Sequence, residues 1–183
     1  MAEVKILIEG YAADYVGGRS CSTITLVQDN NLNIVVDPGT LPNQKMLVAK
    51  LKKVGLNVDE INIVFITHSH MDHYRNIGMF KNAKSLDHWG WWQGDVWKEY
   101  KNPLSDNIKV FKTPGHSYDS VTLLVKTKDG TVAICGDVFW KKDFPAKDPY
   151  ASDKKKLQQS RKRILKIADY IIPGHGKIYK VNK

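Results

Sequence analysis

The sequence predicts one α+β domain (of mixed α/β character) spanning residues 1–183, and three observations support this. A length of 183 residues fits one domain with a substantial core. Several apolar, β-branched runs end at Gly, Pro, Asn or Asp, as strands do. Two further segments carry apolar residues at helical spacing. The chain is therefore β-rich in its first part and mixed afterwards.

The first half contains three strand-like stretches and one helix. EVKILIEG (3–10) predicts a strand, and STITLVQDNNLNIVVD (22–37) predicts a hairpin that turns at residues 29–31. Residues 43–54 predict a helix with Met46, Leu47, Leu51 and Val54 on one face, which Gly55 ends. INIVFIT (61–67) is apolar at consecutive positions, which favours a strand covered on both faces.

The second half repeats this pattern. NIKVFKTPGH (107–116) and SVTLLVKTKDGTVAICGD (120–137) predict strands, the latter with a turn at Lys128-Asp129-Gly130. SDKKKLQQSRKRILKIADY (152–170) predicts a helix capped by Ser152 or Asp153. Its apolar residues at helical spacing predict one buried stripe, formed by Leu157, Ile164, Leu165 and Ala168. YIIPGHG (170–176) is a further short apolar run.

Composition and cysteine usage exclude several classes of protein. Hydrophobic residues make up 42% and charged residues 26%, which is an ordinary globular balance. No window approaches eighteen consecutive apolar residues and the N-terminus does not resemble a signal peptide, so we expect a cytoplasmic protein with no membrane partner. Cys21 and Cys135 lie far apart, which argues against a disulfide framework or a zinc site built on cysteine pairs.

The net charge of +9 is concentrated in one segment. Residues 141–166 hold ten Lys or Arg against three Asp. One interpretation is an amphipathic helix with a solvated basic face. The other is a phosphate-binding ridge, for which the candidate residues are Lys154, Lys155, Lys156, Arg161, Lys162 and Arg163.

Ionisable residues recur directly after the predicted strands. They are Asp37, His68, His70, Asp72, His73, His116, Asp137 and His175. If the strands end at a common edge of packed sheets, the following loops gather these side chains at one point. The pattern H-x-H-x-D-H in residues 68–73 has few structural uses that justify four ionisable groups so close together, so we expect a metal site.

Coordination chemistry predicts how these ligands divide. Four neighbouring ligands cannot all bind one ion comfortably, and a catalytic zinc takes three protein ligands and a water. His68, His70 and His116 would form one open site, Asp72, His73 and His175 would form a second, and Asp137 would bridge the two ions. Asp37, in the loop DPGT, is expected to orient a ligand histidine instead of binding metal.

With these landmarks in order, the whole chain resembles the metallo-β-lactamase-fold superfamily. The resemblance rests on Asp37, THSHMDH (67–73), TPGHS (113–117), GD (136–137) and PGHG (173–176). It implies a four-layer αβ/βα sandwich of two mixed β-sheets with helices on the outer faces. It also implies the same division of the seven ligands between two metals, with Asp72 orienting the attacking water as well.

The resemblance implies a hydrolase with two divalent metal ions, for which we expect Zn first, although Fe or Mn also suit imidazole and carboxylate ligands. His70 replaces the Glu that is usual in the redox di-iron members, and Asp137 replaces the Cys ligand of the best-known β-lactamase branch. The thioester-binding helical extension of glyoxalase II is not expected from residues 176–183. Small single-domain nucleases of the superfamily fit the length.

Two further features bear on the substrate. DHWGWWQGDVWKEY (87–100) holds four of the five tryptophans, which predicts either a pocket rim or ordinary packing under a loop. The candidate substrate contacts are His88, Trp89, Trp91, Trp92 and Trp140. His88 is the one histidine outside the ligand set.

The bond that is cleaved stays open at this point. The first hypothesis is hydrolysis of an ester, thioester, lactone or amide of a small molecule. The alternatives are a phosphodiesterase or ribonuclease that acts on single-stranded nucleic acid, β-lactam hydrolysis as a main or side activity, and a noncatalytic metal-stabilised binding module. The sequence does not indicate an oligomeric state.

Overall fold

The computed structural model describes residues 1–13, 17–142 and 148–182. Its strands are, in chain order, β1 (Glu3–Ile8), β2 (Tyr11–Ala12), β3 (Ser20–Cys21), β4 (Ile24–Asp29), β5 (Leu32–Val36), β6 (Ile63–Phe65), β7 (Lys84–Leu86), β8 (Trp91–Gln93), β9 (Val96–Lys98), β10 (Ile108–Lys112), β11 (Val121–Thr127), β12 (Gly130–Ile134), β13 (Tyr170–Ile172) and β14 (Tyr179–Lys180). Its helices are α1 (Lys45–Lys53), α2 (Met71–Tyr74) and α3 (Lys154–Ile167), with short 3-10 helices at Val58–Glu60, Ile77–Met79 and Gly136–Val138.

Within the described ranges these strands form two mixed sheets and one short hairpin. The first sheet has the order β1-β4-β5-β6-β7-β8-β9, and the second has the order β10-β11-β12-β13-β14. Strands β2 and β3 pair with each other. The pairs β5–β6, β6–β7 and β12–β13 are parallel, and the other pairs are antiparallel.

Three apolar interfaces arrange the sheets and helices in four layers. The central interface lies between the two sheets, where for example Phe65 packs in one cluster with Leu123. The outer face of the first sheet carries α1 through Leu47 and Leu51, and the outer face of the second carries α3 through Leu157 and Ile164. This is the predicted α+β sandwich, because each amphipathic helix buries its apolar stripe on the free face of a sheet.

Strand direction brings the functional loops together. β5 and β6 are parallel, so the loops after them, which begin at residues 37 and 66, leave the same edge of the first sheet. In the second sheet β10 and β13 both run in the direction of β12, so their following loops also share an edge. The backbone joins the two edges through hydrogen bonds from Val121 to Thr67 and from Thr23 to Gly174.

The basic helix is real, but two details of its prediction are wrong. Asp153 caps α3 by accepting a hydrogen bond from the backbone of Lys156. Leu165 is 37% exposed, because it lies at the edge of the buried face centred on Leu157 and Ile164. Arg161 is buried inside that face, one turn after Leu157, and so does not belong to a solvent-facing phosphate ridge.

Arg161 supports the loop that follows β12. Its side chain is 2% exposed, its Nε donates to the carbonyl of Val138 at 2.8 Å, and its guanidinium lies 5.8 Å from the ring centre of Phe139. An arginine in this position anchors the 3-10 turn at Gly136–Val138 to the helix behind it.

Part of the tryptophan segment forms the ribbon β8–β9 at the edge of the first sheet, a strand pair that neither interpretation of this segment included. Trp92 and Trp97 face each other across this ribbon. Aromatic residues favour such exposed, pleated pairs. The helices within the described ranges all fall short of the length and hydropathy that a bilayer-spanning segment needs.

The position of Arg161 generates a stability prediction. We expect Arg161→Ala to lower the free energy of unfolding by about 3 kcal/mol, because it removes a charged hydrogen bond and leaves a cavity in the core. Urea unfolding of protein at fixed metal content measures this change. Lys162→Ala, on the exposed face of the same helix, is the matched control. Equal losses for the two variants would contradict the structural role of Arg161.

Candidate metal centre

The structure brings all seven predicted ligands to one edge of the sandwich. Their potential ligand atoms form two groups, and within each group the atoms lie within 4.8 Å of one another. The first group is His68, His70, His116 and Asp137, and the second is Asp72, His73 and His175. Two of these residues, His68 and His70, belong to the loop that follows β6, while α2 carries Asp72 and His73.

Ring nitrogens converge in the first group. Nδ1 of His70 lies 3.0 Å from Nε2 of His68 and 3.1 Å from Nε2 of His116. Burial, reinforced by the neighbouring His73, holds the pKa of His68 well below its usual value, and burial together with His116 lowers the pKa of His70. Neutral imidazoles with their lone pairs aimed at one point are the form that binds a metal ion.

Asp137 lies between the two groups. Its Oδ2 is 3.5 Å from Nε2 of His116, while its Oδ1 is 3.3 Å from Nε2 of both His73 and His175. Burial would raise the pKa of Asp137, but the charges of His73 and His175 outweigh burial and lower it well below its usual value. One carboxylate oxygen therefore faces each group, which is the arrangement that a bridging ligand needs.

The buried polar atoms fit divalent cations. Nε2 of His73 and Oδ1 of Asp137 are both buried, and neither has a hydrogen-bond partner among the residues that the structure describes. The two atoms lie 3.3 Å apart without a well-formed hydrogen bond, and a cation between imidazole and carboxylate would pair with both. The first group offers three imidazoles and a carboxylate, and the second offers two imidazoles and a carboxylate. Zn, Fe and Mn all accept these ligand types.

Three ligand histidines are oriented by a hydrogen bond at Nδ1, the ring nitrogen that faces away from the other ligands. Nδ1 of His73 lies 2.8 Å from Oδ2 of Asp37, and Nδ1 of His116 lies 2.8 Å from Oδ2 of Asp148. Nδ1 of His175 lies 3.0 Å from the carbonyl of Cys21. An acceptor at this nitrogen fixes the tautomer that presents Nε2 to a metal.

Asp37 occupies the position that the sequence predicted for an orienting residue. It follows β5 with φ of 49°, a left-handed conformation that Asp tolerates better than most residues. The Thr67 backbone and hydroxyl both donate to its carboxylate, at 2.8 and 2.7 Å. These bonds hold the carboxylate toward His73.

Close backbone approach explains two glycines. A Cβ at Gly174 would overlap Oδ1 of Asp137, and a Cβ at Gly136, where φ is 51°, would overlap the hydroxyl of Thr67. The Gly174 amide also donates to the carbonyls of Gly136 and Phe139, at 2.9 Å each. The PGHG and GD motifs therefore dock against each other through their glycines.

Both histidines of the second group have raised pKa values. Burial lowers the pKa of His73, but the carboxylates of Asp137 and Asp37 outweigh burial and raise it well above its usual value. Burial also lowers the pKa of His175, and Asp137 outweighs it there. Asp72, the predicted catalytic residue, accepts a hydrogen bond from Ser20 and lies 3.5 Å from Nε2 of His175.

A small pocket opens directly onto the ligands. It has a volume of about 200 Å³, and apart from the ligands it is lined by Ala12, Ala13, Ser20, Trp140 and Tyr150. Trp140 and Tyr150 stack with their ring centres 5.5 Å apart, and the Trp140 ring lies 6.1 Å from His116. Trp140 is therefore the predicted tryptophan that reaches the metal ligands most directly.

The other candidate substrate contacts separate into two places. His88, Trp89 and Trp92 line a second cavity that also touches His68. Trp91 points elsewhere and lines a cavity with Leu32 and Leu104. The structure thus does not bring Trp91 to the metal ligands.

Sequence reasoning missed several supporting residues. Asp148 orients His116, but in the sequence it is one Asp within the basic segment 141–166 and carries no motif that links it to His116. Ser20, on the short strand β3, and Tyr150, in a turn, reach the ligands from segments that carry no motif. The carbonyl of Cys21 is a backbone group, which side-chain patterns cannot reveal.

Comparison with known proteins agrees with this geometry. The model of the metallo-beta-lactamase superfamily matches residues 17–93. "Metallo-beta-lactamase domain-containing protein 1" of Xenopus laevis is 33% identical over 193 residues, which cover 98% of this chain and 82% of that protein. The rat protein of the same name is 33% identical over 81% of this chain and 63% of its own length.

A more distant relative is "Probable metallo-hydrolase MJ0296" of Methanocaldococcus jannaschii, which is 31% identical over 80% of this chain and 73% of its own length. Among solved structures, protein tm0894 of Thermotoga maritima superimposes with a TM-score of 0.77 at 24% identity, over 98% of this chain and 99% of that one. AidC, a dizinc quorum-quenching lactonase, superimposes with a TM-score of 0.65 at 18% identity, over 84% of this chain and 72% of that one. From these matches and the ligand geometry we conclude that the chain belongs to the metallo-β-lactamase superfamily and is a metallo-hydrolase of that fold.

Proposed function

We propose that this chain hydrolyses an ester, lactone or thioester of a small molecule at a centre of two divalent metal ions, most suitably Zn. The observation that carries the proposal is the 200 Å³ pocket at the ligands, whose remaining described walls are uncharged. A phosphodiester is an anion and calls for cationic side chains beside the reacting group. A neutral carbonyl compound does not.

The chain supplies two open sets of ligands for the ions. His68, His70 and His116 would hold one ion and Asp72, His73 and His175 the other, with one oxygen of Asp137 toward each. Bound divalent ions would supply a water of lowered pKa and a Lewis acid that polarises the substrate carbonyl. The ligand nitrogens are already oriented through Asp37, Asp148 and the Cys21 carbonyl, which avoids reorganisation when the reaction proceeds.

Asp72 is the proposed proton carrier. Its carboxylate lines the pocket and its side chain is 24% exposed, in contrast to the buried Asp137. The Ser20 hydroxyl donates to Oδ2 of Asp72 and fixes the orientation of the carboxylate. Asp72 can therefore accept a proton from the attacking water and return it to the leaving alcohol or thiol.

The walls of the pocket suit an apolar acyl group. Trp140 and Tyr150 are nearly parallel, with 8° between their ring planes, and form one flat wall. Ala12 and Ala13, on and next to β2, leave room in front of the ligands. An acyl chain against the aromatic wall would displace water and position its carbonyl near the ligands.

One observation favours a second candidate, a phosphodiesterase. Four lysines, Lys141, Lys142, Lys177 and Lys180, line a surface groove of about 750 Å³. Cβ of Lys141 lies 3.7 Å from the position that a Cβ would take at Gly176, the residue after the ligand His175. An anionic chain could lie in this groove and present a phosphate to the metals, whereas the buried Arg161 could not take part.

Substrate preference separates the two candidates. We expect metal-loaded protein to hydrolyse members of a panel of short-chain esters, thioesters and lactones, and to leave single-stranded RNA and bis(p-nitrophenyl) phosphate intact. β-Lactams belong in the same panel. Release of acid or thiol measures the first set, and gel electrophoresis measures the RNA. RNA cleavage that disappears in the double variant Lys141→Gln/Lys177→Gln would instead support the phosphodiesterase, and no turnover of any kind would indicate a binding module.

The aromatic wall predicts how activity depends on Trp140. We expect Trp140→Ala to raise KM about tenfold with a smaller effect on kcat, because the wall contacts the acyl group both before and during the reaction. Steady-state kinetics on the best ester measure both constants. Trp97→Ala, an exposed tryptophan on β9, is the matched control and should leave both constants unchanged. An unchanged KM in Trp140→Ala would remove the wall from the binding site.

The bridging position of Asp137 predicts metal content. We expect wild-type protein to retain two ions per chain after dialysis and Asp137→Asn to retain at most one, because the amide carries no charge to offset two cations. Metal analysis by mass spectrometry measures the ratio. Asp129→Asn, in the exposed turn between β11 and β12, is the control. Two retained ions in Asp137→Asn would contradict bridging.

The pKa directions predict different pH dependences for the two ions. His68 and His70, whose pKa values are lowered, are already neutral near pH 7, whereas His73 and His175, whose pKa values are raised, must lose protons before they bind metal. The affinity of the Asp72 group for a metal ion should therefore fall as the pH decreases, by about tenfold per pH unit for each proton that the metal must displace. The affinity of the His68 group for a metal ion should fall less. Competition with a chromophoric chelator between pH 6.5 and 8, values chosen around the usual range for histidine, measures both slopes. Equal slopes would disagree with this assignment.

A further inference from the structure

A second cavity beside the metal centre has the size and chemistry of a ligand site. It has a volume of about 400 Å³, within the usual range for small-molecule pockets, and we call it the Asp119 cavity. The residues that matter here are His68, Asp87, His88, Trp89, Tyr118 and Asp119. His68 is also a ligand of the first group, so the cavity begins at the metal centre.

Large aromatic side chains surround this cavity while remaining open to solvent. Trp89 is 54% exposed and Tyr118 is 66% exposed, and their ring centres lie 6.3 Å apart. They come from different elements, since Trp89 follows β7 and Tyr118 follows the ligand His116. Trp92, on β8, adds a third partly exposed ring. Neighbouring aromatic rings that line a cavity and remain exposed are a binding surface that ordinary packing would have covered.

The cavity is acidic, although the chain as a whole carries a net charge of +9. Asp87 and Asp119 line it, and no Lys or Arg lines it among the described residues. Burial, with the nearby Lys112, lowers the pKa of His88, so this histidine adds no positive charge near pH 7. In the described part of the chain neither carboxylate forms an ion pair with a lysine or arginine.

Asp119 has an unused oxygen in this setting. The residue is 5% exposed, and its Oδ2 accepts a hydrogen bond from the Ser69 amide at 3.0 Å. Its Oδ1 is buried and has no hydrogen-bond partner in the ranges that the structure covers. Asp87, in contrast, uses Oδ1 to accept from the amides of Trp89 and Gly90. No described residue donates to this oxygen, and a donor that entered the cavity would satisfy it.

These features select an organic cation over other ligands. Aromatic faces attract cations, and a carboxylate pairs best with a charged N–H donor. An anion such as phosphate would be repelled by two carboxylates, and an apolar group would leave the Asp119 oxygen unpaired. Ser69, which binds Asp119, lies between the ligands His68 and His70, so a cation held there would sit beside the reacting centre.

We propose that the Asp119 cavity binds the protonated amine of a small molecule, and that this molecule is the substrate, whose acyl group reaches the metal centre. The second half of this statement rests on the proposed esterase function, whereas binding of the amine does not. The substrate class is then an amine-bearing ester, thioester or lactone.

The binding step is tested with three probes of equal size: benzylammonium, benzyl alcohol and benzoate. They are titrated into metal-loaded protein with ¹⁵N-labelled tryptophan, and again after chelation, so that direct binding of a probe to metal is recognised. We expect benzylammonium to shift the indole resonances of Trp89 and Trp92 with a Kd about tenfold or more below that of the alcohol, both with and without metal. Equal affinity for the ammonium and the alcohol in wild-type protein would overturn the proposal without need of any variant.

Variants then locate the charge that is responsible. Asp119→Asn should abolish the preference for benzylammonium, and Asp95→Asn, which removes an exposed charge in the turn between β8 and β9, should preserve it. A preference that survives in Asp119→Asn would exclude Asp119 as the partner of the amine.

Turnover separates the two halves of the proposal. We expect an amino-acyl ester to exceed its uncharged isostere in kcat/KM, and Asp119→Asn to remove this difference. Benzylammonium binding without hydrolysis of any ester would overturn the assignment to the substrate and the proposed function together. Ester hydrolysis with no preference for amines in either assay would overturn the Asp119 cavity and leave the proposed function standing.

Discussion

The Asp137 carboxylate is the constraint on which the rest of this structure depends. It is buried between imidazoles from both sides of the sandwich, and burial of an unpaired charge is too costly unless cations or protonated rings surround it. Gly174 has no side chain because a Cβ there would overlap this carboxylate, and the buried Arg161 secures the following turn through Val138. The α3 helix thus contributes to the metal centre indirectly, by fixing the backbone that carries Asp137.

Strand direction explains why the loops carry the functional residues and the sheets carry the core. Parallel pairing of β5 with β6 and of β12 with β13 sends four functional loops to one edge, while the antiparallel strand β11 lets β10 deliver His116 to the same edge. The loops carry chemistry and the sheets carry stability, because the apolar strand residues are buried between layers and the polar residues begin where the strands end. Substrate selection can therefore change in the loops without loss of the core.

The sequence predicts the fold and the ligand cluster well because both depend on local sequence patterns. His68 to His73 lie within six consecutive residues that follow β6, and Asp137 and His175 each follow a short apolar strand beside glycine, so motif and strand reasoning located them together. Leu165 and Arg161 were misassigned because helical spacing defines a face less sharply than packing does, and a charged residue in that face is not expected from composition. The contact between Asp148 and His116 could not be predicted, since the two residues are 32 positions apart and meet only because the intervening chain folds back. The tryptophan ribbon was missed because aromatic density signals a pocket rim and an edge strand equally.

The joining of the two sheet edges has a consequence for how the protein is made. Thr23 hydrogen-bonds to the Gly174 carbonyl, and the ligands of the Asp72 group extend from position 72 to position 175. During synthesis the first sheet can form early, but Asp72 and His73 must wait for a residue more than a hundred positions later before their ligand group is complete. Until then His73 and Asp72 are an exposed, incomplete chelate, and nascent chains would compete for metal less effectively than the finished protein. Completion of this ligand group is in this sense a late folding step, because it requires the last strands to pair with the rest of the sandwich.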